Sequence, residues 1–119
     1  MTDSLDQLSQ RLEQFALRRD WVQFHTPKNL AMALGGEVGE LLAELQWLAD
    51  GDLSKSAMDV AKREAIANEC ADVLIYLVRF ADVAGIDLIQ AANQKVDLNE
   101  ARYSVDKAKG NAAKYNELG

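Results

Sequence analysis

Glu37-Val38-Gly39-Glu40-Leu41-Leu42-Ala43-Glu44-Leu45 and Glu69-Cys70-Ala71-Asp72-Val73-Leu74-Ile75-Tyr76-Leu77 are the two stretches that decide how this chain folds. Both repeat apolar residues at the three-and-four spacing of a helix, and both place acids at the border of the apolar stripe. With Glu37 set at zero on a wheel of about 100° per residue, Leu30, Leu34, Val38, Leu41 and Leu45 fall between about 20° and 100°. Glu44 lies at about −20°, Glu40 at about −60°, and Asn29 and Trp47 both near −80°. With Glu69 at zero, Ile66, Cys70, Val73, Leu77 and Phe80 occupy about 20° to 100°, Tyr76 lies near −20° and Asp72 near −60°. Glu69 is therefore embedded in an apolar face.

A carboxylate placed there without compensation costs several kcal/mol or stays protonated. An Arg or Lys could supply the compensation, and so could a metal ion. Glu37 with Glu40, and Glu69 with Asp72, are each spaced i, i+3 and project from one side of their helix. Two such pairs brought together form a four-carboxylate cluster whose charges repel without a cation, and oxygen-only ligands suit Mg²⁺ or Mn²⁺. The chain has one histidine and one cysteine, which leaves no basis for a zinc site.

Working outward, Ser4 with Gln7 predicts a capping box, and Leu5, Leu8, Leu12 and Phe15 keep a helical period to about residue 19. Residues 20–26 read as a connection. Thr26-Pro27 predicts the start of the second helix, which runs to about Leu48 and ends in Asp50-Gly51-Asp52. Ser56 with Asp59 is read as the cap of a third helix stopped by Gly85, and Asp87 as the cap of a fourth ending near Tyr103. Residues 104–119, with Lys107, Lys109 and Lys114 around Gly110, are left open as an ordered segment or a mobile tail. The expectation is an all-α four-helix bundle forming a single domain over residues 1–119.

Composition limits the function classes. With 13 basic and 19 acidic residues the formal charge is −6, against a general nucleic-acid binder and a poor match for an anionic membrane surface. An acidic protein still binds phosphates when a divalent cation supplies the positive charge. Cys70 is the single cysteine, so no intrachain disulfide forms and a reducing compartment is expected; the residue itself reads as a small buried hydrophobe. The acidic start Met1-Thr2-Asp3-Ser4-Leu5-Asp6 has no apolar region of a signal peptide, and Val73 to Val78 is too short a run to cross a bilayer. A cytoplasmic location is expected.

The motif Glu37-Val38-Gly39-Glu40-Leu41 followed by Glu69-Cys70-Ala71-Asp72-Val73 resembles the paired ExxE and ExxD signature of the all-α nucleoside triphosphate pyrophosphatases, the superfamily that includes MazG-like proteins. Arg19-Asp20-Trp21, Phe24-His25, Pro27, Asn29-Leu30 and Gln46-Trp47 are similar to the dCTP-pyrophosphatase branch of the MazG-like group. Lys95, Asn99, Arg102-Tyr103, Gly110 and Lys114-Tyr115 echo the end of its domain. The resemblance implies metal ligation by Glu37, Glu40, Glu69 and Asp72, with Mg²⁺ as cofactor and Mn²⁺ as substitute. It also implies cleavage of a (deoxy)nucleoside triphosphate between the α- and β-phosphates, giving a monophosphate and pyrophosphate. By the same carry-over Trp21, His25, Asn29 and Trp47 surround base and sugar, and Lys95 and Asn99 meet the phosphates. Glu40 or Glu44 is then a candidate base for the attacking water, and Lys95 a candidate to stabilise the leaving group. The spacer between the acid pairs is long for the group, which points to a reshaped 49–58 loop.

Between Val73 and Ile86 the third helix is apolar almost all round, so a lone bundle leaves part of it uncovered and self-association is expected, as a homodimer or homotetramer. Two rivals to the enzyme remain. One is a non-catalytic regulatory module that binds metal and nucleotide; the other is a structural helical oligomer whose acids pair with lysines.

Overall fold

Ser4 opens the first helix, accepting the Gln7 N–H at 3.1 Å, as its spacing to Gln7 predicts. The computed structural model of the chain describes residues 4–110 and residue 112. Helix α1 runs Leu5–Arg18, α2 Pro27–Leu45, α3 Val60–Ala84, α4 Leu88–Arg102 and the single-turn α5 Val105–Ala108, with 3₁₀ turns at Val22–Phe24 and Asp50–Leu53. Among the described residues the secondary structure is entirely helical. The all-α class expected from the sequence is the observed one.

The caps follow local chemistry. Thr26 accepts the Asn29 N–H at 3.1 Å with Pro27 at the first helical position, where a missing N–H costs nothing. Asp59 accepts the Lys62 N–H at 2.7 Å and opens α3 itself, so the helix starts at Val60 and Ser56 lies in the preceding turn, where it meets Ser54. Asp59 takes the role because its own side chain reaches the third N–H beyond it, whereas Ser56 sits in a segment that never becomes helical. Gly85 ends α3 in the left-handed conformation at φ 71°, and Asp87 caps α4 by accepting from Gln90. α2 stops at Leu45, a turn earlier than its apolar period suggests.

The chain divides into two compact units, one ending at Gly85 and one beginning at Ile86. In the first, α3 packs along α2 and against α1. Three cross-links fix α2 and α3 as antiparallel: Glu44 meets Lys62, Glu37 meets Glu69, and His25 just before α2 meets Arg79. As one partner steps down the chain the other steps up, so both elements run along one seam. Among the described residues the buried apolar ones are Ala16, Leu30, Val78 and Ala81, a small core drawn from all three helices. Leu30, 2% exposed, is its largest member, and such burial is worth about 1.5–3 kcal/mol.

The second unit holds α4 and α5. Part of the 104–119 segment is thus helical, while Lys114 and Tyr115 lie outside the described residues.

Cys70 corrects an expectation: it is exposed. It lies with Ala67, Ala71 and Leu74 on one side of α3, all exposed, because α1 and α2 cover other faces of that helix.

Candidate active site

Midway along the α2–α3 seam, carboxylate oxygens of Glu37, Glu40 and Glu69 lie within 4.8 Å of one another. Helix geometry produces this. Glu37 and Glu40 share one side of α2 at i, i+3, and the antiparallel register sets Glu69 opposite Glu37. Glu37 and Glu69 are half-buried and Glu40 is exposed. One oxygen of each half-buried acid, Glu37 Oε2 and Glu69 Oε2, is shielded from solvent and has no hydrogen-bond partner.

Burial pushes both carboxyls above the ordinary carboxylate range, and hydrogen bonding to Glu40, then the charges of Glu40 and Asp72, push them further. Glu69 adds to the effect on Glu37, and Glu44 to that on Glu69. Asp72 is outside the tight trio, yet its charge acts on both buried acids. Orphaned oxygens among mutually repelling acids are a poor arrangement for a folded chain by itself. They fit a hard divalent cation, which takes several oxygens at once and cancels the repulsion. Glu37, Glu40 and Glu69 are the residues placed to hold one, with Asp72 beside them.

Glu44, one turn on from Glu40, is engaged elsewhere: its Oε2 accepts from Lys62 Nζ at 2.9 Å. Lys62 also reaches the Glu44 carbonyl at 3.5 Å, so this lysine spans the seam just beyond the trio.

Seven residues along the seam in the other direction, about 10 Å at helical rise, the character changes. A cavity of about 90 Å³ is lined by Leu12, Phe15, Trp21, His25, Leu30, Ile75, Tyr76 and Arg79. Leu30 precedes Glu37 by seven residues and Tyr76 follows Glu69 by seven, so pocket and carboxylates share one face of the seam. Trp21 packs edge-on to Phe15 with centroids 5.7 Å apart, and the Arg19 guanidinium covers Phe15 at 3.6 Å. The chain reaches Trp21 through a Schellman turn: Trp21 N–H donates to Ala16 O and Asp20 N–H to Leu17 O, with Asp20 at φ 54°. Arg79 is 5% exposed; its Nε donates to His25 Nδ1 at 3.0 Å and its Nη1 to Asp82 at 3.1 Å.

The remaining sequence-named residues are distributed as follows. Asn29 donates from its side chain to the Phe24 carbonyl at 3.1 Å, which ties the 3₁₀ turn to the start of α2. Trp47, 88% exposed, stands past the end of α2. Lys95 and Asn99 lie one turn apart on α4, in the second unit. Phe15, Tyr76 and Arg79 were not among the expected site residues. Arg79 had a signal in the sequence, since a charge inside the apolar run of α3, three residues before Asp82, needs a buried partner.

Residues 33–118 match the model of the MazG-like family. The chain is 44% identical over 115 residues to dCTP pyrophosphatase 1 of Mus musculus and 42% identical to that of Homo sapiens, covering 97% of this chain and 68% of each relative. A crystal structure of a pyrophosphatase from Archaeoglobus fulgidus superposes with a TM-score of 0.75 at 38% identity, over 83% of this chain and 91% of that one. Matched over most of its length in sequence and in fold, the chain belongs to the MazG-like family.

Proposed function

We propose that this protein hydrolyses (deoxy)nucleoside triphosphates between the α- and β-phosphates, releasing a monophosphate and pyrophosphate, with dCTP-like or modified pyrimidine nucleotides as substrates. That it is a nucleotide pyrophosphohydrolase follows from its family and from relatives that are dCTP pyrophosphatases. The observation that carries the finer reading is the pair of orphaned oxygens in the Glu37–Glu40–Glu69 trio, one turn-pair away from an aromatic pocket. The spacing of about 10 Å suits a nucleotide whose base lies in the pocket while its phosphates reach the acids.

Mg²⁺, or Mn²⁺ in its place, would be held by Glu37, Glu40, Glu69 and Asp72, and supplies charge neutralisation and Lewis acidity for in-line attack by water on phosphorus. The protein's own groups do the rest. Glu40, the exposed member of the trio, is positioned to take a proton from the attacking water; Glu44 is the second candidate, with one oxygen committed to Lys62. Lys95 stabilises negative charge on the leaving pyrophosphate and Asn99 donates to the phosphates. Trp21 and His25 meet base and sugar from the lining of the pocket, and Asn29 from the start of α2 beside it, whereas Trp47 stands past the far end of that helix and has no part in this pocket.

The same reading treats residues 1–119 as one MazG-like domain, since the family match spans both units, and places the protein in the cytoplasm. No described helix is long and apolar enough to cross a membrane. Neither nucleic acid nor membrane is a partner. Self-association as a homodimer or homotetramer would cover the open side of α3 at Cys70 and Leu74, and with it Met32 and Leu42 on α2, which are 67% and 61% exposed.

Pyrophosphate release across a panel of canonical and modified triphosphates tests the activity, with Glu40→Gln as control. Undiminished turnover in that variant removes the metal assignment, and a monomer in sedimentation at micromolar concentration removes the assembly.

A further inference from the structure

Arg79 is an expensive residue for a helix interior. It is almost fully buried in the apolar second half of α3, where an aliphatic side chain of similar size would pack without desolvating a charge. Asp82, one turn on, sets a carboxylate at 3.1 Å from Nη1 and offsets that charge. Arg79 Nε is spent on a residue 54 positions away, donating to His25 Nδ1 at 3.0 Å.

This bond dictates the chemistry of the imidazole. A guanidinium only donates, so Nδ1 must carry a lone pair, and the single ring proton sits on Nε2. Burial and the adjacent positive charge of Arg79, in that order, lower the pKa of His25 and hold the ring neutral. Among the described residues no protein group bonds Nε2. Both His25 and Arg79 line the aromatic pocket.

We propose that Arg79 is a positioning residue that fixes what the pocket recognises: by holding His25 as its Nε2–H tautomer, it makes the pocket present a hydrogen-bond donor, matched to an acceptor on the base such as a pyrimidine carbonyl oxygen, and not to an exocyclic amine. The proposal rests on the reading of the pocket as the base site. It deepens that reading by naming the atom that selects and the residue that sets it.

His25 is the only histidine of the chain, so its ring nitrogens are observed without overlap in protein labelled with ¹⁵N-histidine. In the full-length wild type at pH 7, long-range ¹H–¹⁵N correlation should show the Nε2–H form alone, and Arg79→Met should convert it to an averaged mixture of tautomers. Arg79→Lys, which still donates to Nδ1, should restore the wild-type pattern. An Nδ1–H ring in the wild type, or a pattern indifferent to Arg79→Met, overturns the proposal. Saturating dCMP should move the Nε2 shift. For dCTP turnover, Arg79→Met should raise KM about tenfold, the factor set by one net hydrogen bond of about 1.4 kcal/mol, with kcat held within about twofold. If Arg79→Met does not fold, the wild-type tautomer and its response to dCMP decide the matter. Turnover of dCTP by a wild type whose His25 ignores dCMP would sink this inference and leave the pyrophosphohydrolase standing. A wild type inert towards every triphosphate would instead remove the enzymatic reading, while the tautomer measurement would still judge Arg79.

Discussion

The two ends of the α2–α3 seam bury charge in opposite ways. At the pocket end, Arg79 is sequestered with His25 accepting from Nε and Asp82 from Nη1, and no solvent-shielded nitrogen of it lacks a partner. At the carboxylate end, Glu37 and Glu69 are sequestered with nothing but other acids, and each keeps an oxygen without a partner. A buried ion with internal partners is complete when the chain folds; a buried ion facing only like charge is complete when something else arrives. The first end is finished by the protein, whereas the second is finished by a cation under the proposed function, and that asymmetry can be probed.

The largest effect falls on the unfinished end. Glu40→Gln removes one donor oxygen and one negative charge from the trio, and should lower kcat/KM for pyrophosphate release by at least about a hundredfold, the upper range for loss of a group that supports a metal site. The same substitution should raise the melting temperature of the metal-free protein, because it relieves repulsion on both buried acids. Activity and stability moving in opposite directions is the signature; a parallel loss would mean that Glu40 is merely structural.

Cation binding supplies the second test. Mg²⁺ at about a hundred times its Kd should raise the melting temperature by roughly 10 °C in calorimetry, since a ligand of the folded state alone stabilises by mass action. Glu69→Gln should abolish most of that shift. Arg79→Lys should leave it intact, because the pocket end has no share in the cation.

Acidity separates the ends more finely. Glu37 and Glu69 have folded pKa values raised above the ordinary 4.5, so the folded state holds their protons more tightly than the unfolded state. Their contribution is fully present below 4.5 and is lost as pH rises through the raised values. His25 behaves inversely: its folded pKa lies below 6.5, so the unfolded state takes up the proton first and stability is lost as pH falls beneath 6.5. Urea titrations of metal-free protein across this range should show the two limbs. Saturating Mg²⁺ should flatten the acidic-residue limb, which reflects charge on the trio. His25→Gln should flatten only the other. If Mg²⁺ flattened the histidine limb instead, the two ends would not be independent.

How much of this was legible beforehand differs between the same two regions. The wheel placed Glu69 inside an apolar stripe and set Glu37 and Glu40 at the border of another, and antiparallel packing needed nothing further to bring the three together. Periodicity within a helix is local information, and it sufficed. The pocket was less legible because it is assembled from α1, the turn before α2, and α3, and no single period reports that. Trp21 and His25 were singled out, whereas their neighbours Phe15, Tyr76 and Arg79 were not. Cys70 misled for a related reason. At about 100° on the wheel it sits at the far edge of the stripe, and whether an edge is covered depends on which helices pack there.

A smaller effect concerns how the chain reaches the pocket. Asp20 occupies the left-handed position of the Schellman turn, φ 54°, where glycine is the usual residue, and this turn swings Trp21 back over α1. Three contributions decide the outcome of Asp20→Gly. Removing Cβ relieves roughly 1–2 kcal/mol of left-handed strain, less for Asp than for bulkier residues. Glycine costs about 0.5–1 kcal/mol in chain entropy. The exposed bond from Gln23 Nε2 to Asp20 Oδ2 at 3.2 Å is also lost, worth about 0.5 kcal/mol at such a site. The sum lies within about 0.5 kcal/mol of zero. Asp20→Ala makes the comparison informative, because it loses the same bond, keeps the strain and lacks the local hydrogen bonding that lets Asp tolerate this conformation. It should unfold at lower urea than Asp20→Gly by about 1 kcal/mol. Its KM should rise with little change in Mg²⁺ affinity, because the turn holds the aromatic wall and touches none of the acids. Equal stability of the two variants would mean that Asp20 relaxes out of the left-handed region, and that the path of Trp21 is set by its packing on Phe15 instead of by the turn.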